Sequence, residues 1–445
     1  MLELTVDDLD HQGRGVARHD GMVVFVPGGL PGETVRVRVQ FRGRRHWLAS
    51  LDQVISPSPQ RCRPACILAD HCGGCSLQHL SATGQGQWKE ERVRQTLLRL
   101  GGVDAKVEPL LADGRQLGYR NRAVIPLHRD GQGKLRAGFY RRGSHRIVNM
   151  SRCPVLDPRL DALIAPLKSD LERTAWSADP HQGLLRHLAL RIGQGTGEVL
   201  ITLVASSDQI DGLAPLAEQW RHRWPQVVGV VLNLQPQPTN VLFGPHTRCL
   251  TGRDHLLERF AGLDLAIAAD TFFQVNTAQA ERVVPLLQAS LPPTPARLLE
   301  AYCGIGTYSL PLAAAGWQVQ GIEWQAEAVA LADANAARNG LSPSCSFTAG
   351  DVAEELATAL VASRPQALLL DPPRKGLEAQ VVAAIRQNPA PRLLYLSCDP
   401  ATLARDLALL CADGVHHVER VQPIDFFPHT SHVETLAVLS CAAGR

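Results

Sequence analysis

The sequence predicts a multidomain chain: an N-terminal OB-like β-barrel, a central α+β part, and a C-terminal Rossmann-like α/β domain. Three observations carry this prediction. Short β-branched runs broken by Gly or Pro fill residues 1–55. Three cysteines crowd into a Gly-rich loop between 66 and 75. Beyond about 270, apolar strands alternate with Ala/Leu-rich helical stretches, the pattern of a parallel sheet with crossover helices. With 445 residues, the chain is longer than one compact core accommodates. We expect parts at 1–56, 57–265 and 266–445.

The barrel is read from four runs. Residues 2–6, 15–17, 22–26 and 33–39 are short and separated by turn residues. The last alternates Val with Arg, which places Arg36 and Arg38 on one face, with Arg42, Arg44 and Arg45 following. Ser56-Pro57-Ser58-Pro59 marks the boundary.

Charge sharpens this reading. The net charge is only +2, but residues 1–152 hold 24 Lys and Arg against 14 Asp and Glu. Between 115 and 152 there are ten basic residues and one acid, Asp130. A basic half on a near-neutral chain is the footprint of a polyanion-binding module, read here as one for nucleic acid. No run approaches the roughly 18 apolar residues of a membrane span, so no membrane partner is expected. No signal peptide is read, and the expected location is cytoplasmic.

The central part opens on Cys66, Cys72 and Cys75, too tightly spaced for chance in a cytosolic chain and suited to a metal or cluster. A fourth ligand is required; Cys153, before Pro154, is the first choice and Cys62 the alternative. Zinc is the generic partner of four cysteines, but three clustered ligands and one distant Cys-Pro favour an iron–sulfur arrangement. A helix is expected at about 85–100, with Val93, Leu97, Leu98 and Leu100 on its apolar face and Gln87, Lys89, Glu90, Arg92, Arg94 and Arg99 in water. The segments around 188–192 and 198–204 form the clearest hairpin.

In the last part, Gly304 and Gly306 follow a strand and open a helix, so the backbone can turn tightly and approach a ligand. Glu323 stands 17 residues after Gly306, at the end of the next strand, where a carboxylate can hold ribose hydroxyls. Ser309 occupies the third glycine position of the dinucleotide fingerprint, which favours an adenosyl ligand such as S-adenosylmethionine over NAD. Asp371-Pro372-Pro373-Arg374-Lys375-Gly376 closes a buried strand at the ligand-binding edge, and Tyr395 to Thr402 repeats the arrangement with Cys398 at the edge.

These segments, with Phe272 to Asn276 and Phe427 to Glu434, resemble the RNA uracil-5 methyltransferase family over nearly the whole chain. Two departures stand out: Glu300 replaces an Asp, and Asp399 replaces the usual Asn, which puts that loop's hydrogen bonding in question. The resemblance implies a class I methyltransferase domain and a barrel similar to a TRAM domain. It implies Cys398 as nucleophile and Glu434 as base. The expected cofactor set is Gln274, Tyr302, Gly304, Gly306, Thr307, Glu323, Asp351 and Asp371, with Phe272 or Phe273 stacking on a flipped base. The family's 23S ribosomal RNA branch carries a [4Fe–4S] cluster on the cysteine pattern, implying Cys66, Cys72, Cys75 and Cys153 as ligands and ribosomal RNA as substrate. The transfer-RNA T-loop uridine is the alternative substrate. A non-catalytic RNA-binding iron–sulfur scaffold is the alternative of another class. His429 and His432 are read as loop-ordering groups. No obligate protein partner is inferred.

Overall fold

The structure is a computed structural model and describes residues 1–441. The strands Leu2–Leu9, Gly15–His19, Met22–Val26, Thr34–Arg42 and His46–Ser56 close into a barrel. Alternation fills it: Leu4, Val6, Val24, Val26, Val35 and Val37 point inward, while Arg36 and Arg38 stay outside. Phe41 is exposed, and the Arg42 guanidinium lies 4.7 Å from the Trp47 ring. The barrel is stapled to the next segment by buried Glu33, which accepts from Arg61 Nε at 2.5 Å and from the Ser58 amide at 3.1 Å.

The central sheet has six strands in the order His246–Gly252, Val227–Leu234, Val199–Ala205, Leu185–Ile192, Arg122–Arg129, Leu135–Ala137. Its middle hairpin is buried on both faces: Val199–Ala205 is a nearly continuous apolar run, whereas Leu185–Ile192 carries the buried Arg186, His187 and Arg191 among its apolar residues. The helices Pro158–Glu172 and Leu213–Arg223 contribute to its core.

The C-terminal sheet has seven strands in the order Cys345–Ala349, Gln318–Glu323, Arg297–Ala301, Ala367–Leu370, Arg392–Ser397, Glu434–Cys441, His416–Ile424. The first five are parallel, and Glu434–Cys441 runs antiparallel to both neighbours. The strand order reverses beside Arg297–Ala301, so the carboxyl edge there opens a crevice.

The helix expected near 85–100 spans Ala82–Gly101, but its faces differ from the sequence reading. Val93 and Leu97 are buried, whereas Leu98 and Leu100 are exposed. Lys89, assigned to water, is wholly buried. The reason is that this helix packs onto the C-terminal domain, against the helix Pro400–Leu410 and the segment after His416–Ile424. A narrow apolar stripe meets one and a buried ion pair meets the other. Among the described residues no helix is long and apolar enough to cross a membrane.

Candidate active site

The strand Arg297–Ala301 ends at the crevice and the chain turns sharply. Tyr302 has φ 66°, Gly304 φ 54° and Gly306 φ 82°. At Gly304 an added Cβ would meet no atom within 4 Å, so the turn leaves open space over its backbone. Glu323, at the end of the neighbouring strand, accepts from the Gly304 amide at 3.1 Å and the Gln325 amide at 3.0 Å. Its carboxylate is thereby oriented at the crevice beside the glycine turn. Ser309 donates to buried Glu300 beneath the turn, and burial pushes the Glu300 carboxyl up to about 8. The serine in the third-glycine position thus holds the acid that replaces the usual Asp. Thr307 is buried in the same turn. Asp351 stands apart in role: exposed, it caps the helix Val352–Ser363 by accepting from the Ala353 amide at 2.9 Å.

Asp371, Cys398 and Glu434 gather at the next edge. Ser397 pairs with Thr435 in the antiparallel ladder, so Cys398 and Glu434 are the next residues outward on adjacent strands. Burial pushes Asp371 up to about 7. Burial, then the Asp371 charge, pushes Glu434 up to about 8, while Arg374 opposes. Cys398 is pushed up to about 12 by burial and then by Glu434 and Asp371. The three are half-buried groups that disfavour one another's charge, the pattern expected of a candidate proton-handling site. Asp399, where the family usually has Asn, caps the helix Pro400–Leu410 through the Ala401 amide at 2.8 Å. Asp and Asn serve equally at that position.

The loop 371–376 is braced by residues the sequence reading missed. Buried Asp406 accepts from Tyr395 Oη at 2.7 Å and from the Leu377 amide at 2.8 Å. Arg405 donates to the Lys375 carbonyl at 2.9 Å. Gly376 has φ 73°, and a Cβ there would lie 2.4 Å from Asp406 Oδ2. Nothing in an Arg-Asp pair on an amphipathic helix signals this task.

The segment entering the domain presents Phe272 and Gln274. Arg191 is buried and donates to the Ala268 and Thr271 carbonyls at 3.1 and 2.8 Å. Asn121 donates to the Gln274 carbonyl at 2.8 Å. Phe272 is 59% exposed, but Phe273 is 2% exposed and packs edge-on against Phe260. Of the two expected stacking rings, only Phe272 is available; Phe273 belongs to the core.

The loop before Glu434 is held from the central part. Lys89 Nζ bonds Asp425 Oδ1 at 2.7 Å and the Phe427 carbonyl at 3.0 Å. Tyr119 Oη donates to the Pro428 carbonyl at 3.1 Å. His429, with φ 67°, donates its amide to Gln85 Oε1 at 2.7 Å, and its ring Nδ1 lies 3.2 Å from Gln85 Nε2. Desolvation lowers both histidines, His432 to about 4 with Arg374 adding to it. His429 is tied into the loop through Gln85, whereas His432 is exposed and its ring lies 5.7 Å from that of Phe427.

Cys66, Cys72, Cys75 and Cys153 share one neighbourhood. Burial raises Cys75 to about 11 and Cys153 to about 12, and each of these thiols also feels Cys66 and Cys72. Cys62 is exposed, with its Sγ 3.4 Å from the Gln78 carbonyl. Among the described residues no three His, Cys, Asp or Glu close around a point as a single metal ion requires.

The doubly wound sheet, its glycine turn and the facing Glu323 define a S-adenosylmethionine-dependent methyltransferase. The sequence places it more narrowly. Residues 261–441 match the model of the tRNA (uracil-5-)-methyltransferase family, and residues 1–44 match the TRAM domain. An uncharacterized RNA methyltransferase of Parasynechococcus marenigrum (strain WH8102) is 52% identical, covering 98% of this chain and 95% of that one. One from Nostoc sp. (strain PCC 7120) is 44% identical over 99% and 96%. The crystal structure of Pyrococcus abyssi tRNA (uracil-54, C5)-methyltransferase in complex with S-adenosyl-L-homocysteine superposes with a TM-score of 0.79. It shares 26% identity and covers 98% of this chain and 99% of that one. The chain belongs to the RNA uracil-5 methyltransferase family.

Proposed function

We propose that this protein methylates carbon 5 of a uridine in 23S ribosomal RNA through a covalent adduct with Cys398. The observation that carries the reading is the register that brings Cys398 and Glu434 side by side at the half-buried edge of the sheet. Uracil carbon 5 is a poor nucleophile until the Cys398 sulfur adds to carbon 6 and turns the ring into an enolate. S-adenosylmethionine, when bound, supplies an electrophilic methyl group for that carbon. Gly304, Gly306 and Glu323 are the residues that would hold its adenosyl part, and the open space over Gly304 fits a ligand there. Tyr302, Thr307, Gln274, Asp351 and Asp371 complete the proposed set. Glu434 then takes the carbon-5 proton, and expulsion of the Cys398 sulfur restores the ring. Exposed Phe272 stacks on the base flipped out of the RNA.

Parts 1–56, 57–265 and 266–445 divide the work into RNA grip, cluster support and chemistry in the cytoplasm. We assign Cys66, Cys72, Cys75 and Cys153 to a [4Fe–4S] cluster. The support is that the four thiols lie close enough to disfavour one another's thiolates, and that three clustered cysteines with one distant Cys-Pro follow an iron–sulfur spacing more than paired zinc knuckles. A second substrate reading, the T-loop uridine of transfer RNA, is favoured by the end-to-end likeness to the Pyrococcus enzyme. The test is incubation with 23S and transfer-RNA transcripts containing 5-fluorouridine. One of them should give a complex stable to denaturant with the wild type and none with Cys398→Ala. Adduct formation by Cys398→Ala removes Cys398 from its role.

A further inference from the structure

The loop that carries Glu434 makes several of its fixed contacts with a segment more than 300 residues earlier. Gln85 is the centre of that contact. It is 1% exposed and sits in the first turn of the helix Ala82–Gly101. Its Oε1 accepts from the His429 amide at 2.7 Å. Its Nε2 donates to the Leu80 carbonyl at 2.7 Å and the Leu77 carbonyl at 3.2 Å, and lies 3.2 Å from His429 Nδ1. One side chain therefore joins the end of the cysteine loop to the catalytic loop.

Two further bonds run alongside. The Leu77 amide donates to the His429 carbonyl at 2.8 Å. Ser76 Oγ, one residue beyond Cys75, accepts from the Ser431 amide at 3.1 Å. His429 needs such a clamp, because its φ of 67° is a conformation that a residue with a Cβ rarely adopts. Glu434 begins the final strand five residues later, so the path of 429–433 decides where its carboxyl enters the crevice.

We infer that Gln85 is a positioning residue for Glu434, acting through His429 and with Ser76 in support. This rests on Glu434 being the base. Gln85 touches neither Cys398 nor the cofactor turn, so it governs removal of the carbon-5 proton and expulsion of the sulfur. It does not govern the first attack. Loosening it lets the reaction run to the methylated adduct and slows its release.

The experiment uses the full-length protein and the transcript that the wild type methylates. Gln85→Met keeps the volume and removes all four contacts. With ordinary transcript and S-adenosylmethionine it should accumulate denaturant-stable adduct, with turnover lowered ~10-fold or more. With 5-fluorouridine transcript, which has no removable carbon-5 proton, its adduct should form at the wild-type rate. Hydrogen exchange of 427–433 should quicken. Ser76→Ala should move the same readouts by less. Wild-type turnover without adduct, or equal slowing of both transcripts, would overturn the inference; so would unchanged exchange in 427–433. Failure of the wild type to form the fluorouridine adduct would instead sink the Cys398 reading, while the exchange measurement still judges Gln85.

Discussion

Two thiols in this molecule, Cys153 and Cys398, are pushed in the same direction by the same cause and are surrounded differently. Cys153, at about 12, faces Cys75, Cys72 and Cys66 after burial. Cys398, also at about 12, faces Glu434 and Asp371, with Arg374 as the easing charge. Around Cys153 the neighbours are further thiols, each of which disfavours the Cys153 thiolate. Around Cys398 they are carboxyl groups with a guanidinium beside them, so a proton released by one group has an acceptor close by. A displaced pKa marks a site; the partners decide whether it is a scaffold or a reaction centre.

The largest expected effect breaks the comparison directly. Cys398→Ala should lower methyl transfer by about 10³-fold or more while leaving the thermal midpoint near wild type. Cys153→Ser should do the reverse, lowering the midpoint and bleaching the brown absorbance of anaerobically purified protein. A colourless, zinc-containing wild type would overturn the cluster assignment. Next, Glu434→Gln should cut turnover by about 10²–10⁴ and leave adduct on ordinary RNA. Rapid turnover by that variant would remove Glu434 as base.

A third effect concerns the link between the two groups. Lys89→Met leaves Asp425 buried and unpaired, which should cost about 3–5 kcal/mol in chemical denaturation. A loss below about 1 kcal/mol would mean that Asp425 takes up a proton and needs no partner.

A fourth effect is pH dependence. Asp371, at about 7, and Glu434, at about 8, lie above their ordinary values. Their contribution to ligand-free stability is present below the ordinary carboxyl range and is lost as pH rises through 7 and 8. Affinity for the positively charged S-adenosylmethionine should move the other way. It should rise from pH 6 to 8 by up to about tenfold per unit, measured by calorimetry. Glu434→Gln with Asp371→Asn should flatten that slope, and a flat wild-type profile would contradict it. The smallest effect is Asp399→Asn, expected to change stability by less than about 0.5 kcal/mol because both residues cap the helix.

What could be read in advance followed the type of constraint. The barrel was legible because Val and Arg alternate over 34–39, and the C-terminal sheet because its strands are buried apolar runs. Cys398 and Glu434 were singled out by the motifs around them, and the ladder brings the two together at one edge. The helix Ala82–Gly101 was legible as a helix but not by its faces. A lone Lys or Gln on an amphipathic helix reads as solvated, and only the tertiary partner, Asp425 for Lys89 and His429 for Gln85, reveals burial. Phe272 and Phe273 were indistinguishable in sequence, and packing against Phe260 separated them.

The pairing of Ser397 with Thr435 has a consequence for how this enzyme can change. Cys398 and Glu434 are spaced by a ladder rather than by a hinge. A one-residue insertion or deletion in 434–441 would turn the glutamate to the opposite face of the sheet; a two-residue shift would return it displaced by about 7 Å. The backbone spacing between the two residues therefore changes only in widely separated steps, while the loop 429–433 sets the finer path of the glutamate side chain within one register. Gradual adaptation to new RNAs is confined to the barrel, the central sheet and the loops around the crevice, while the ladder acts as a ruler with no intermediate marks.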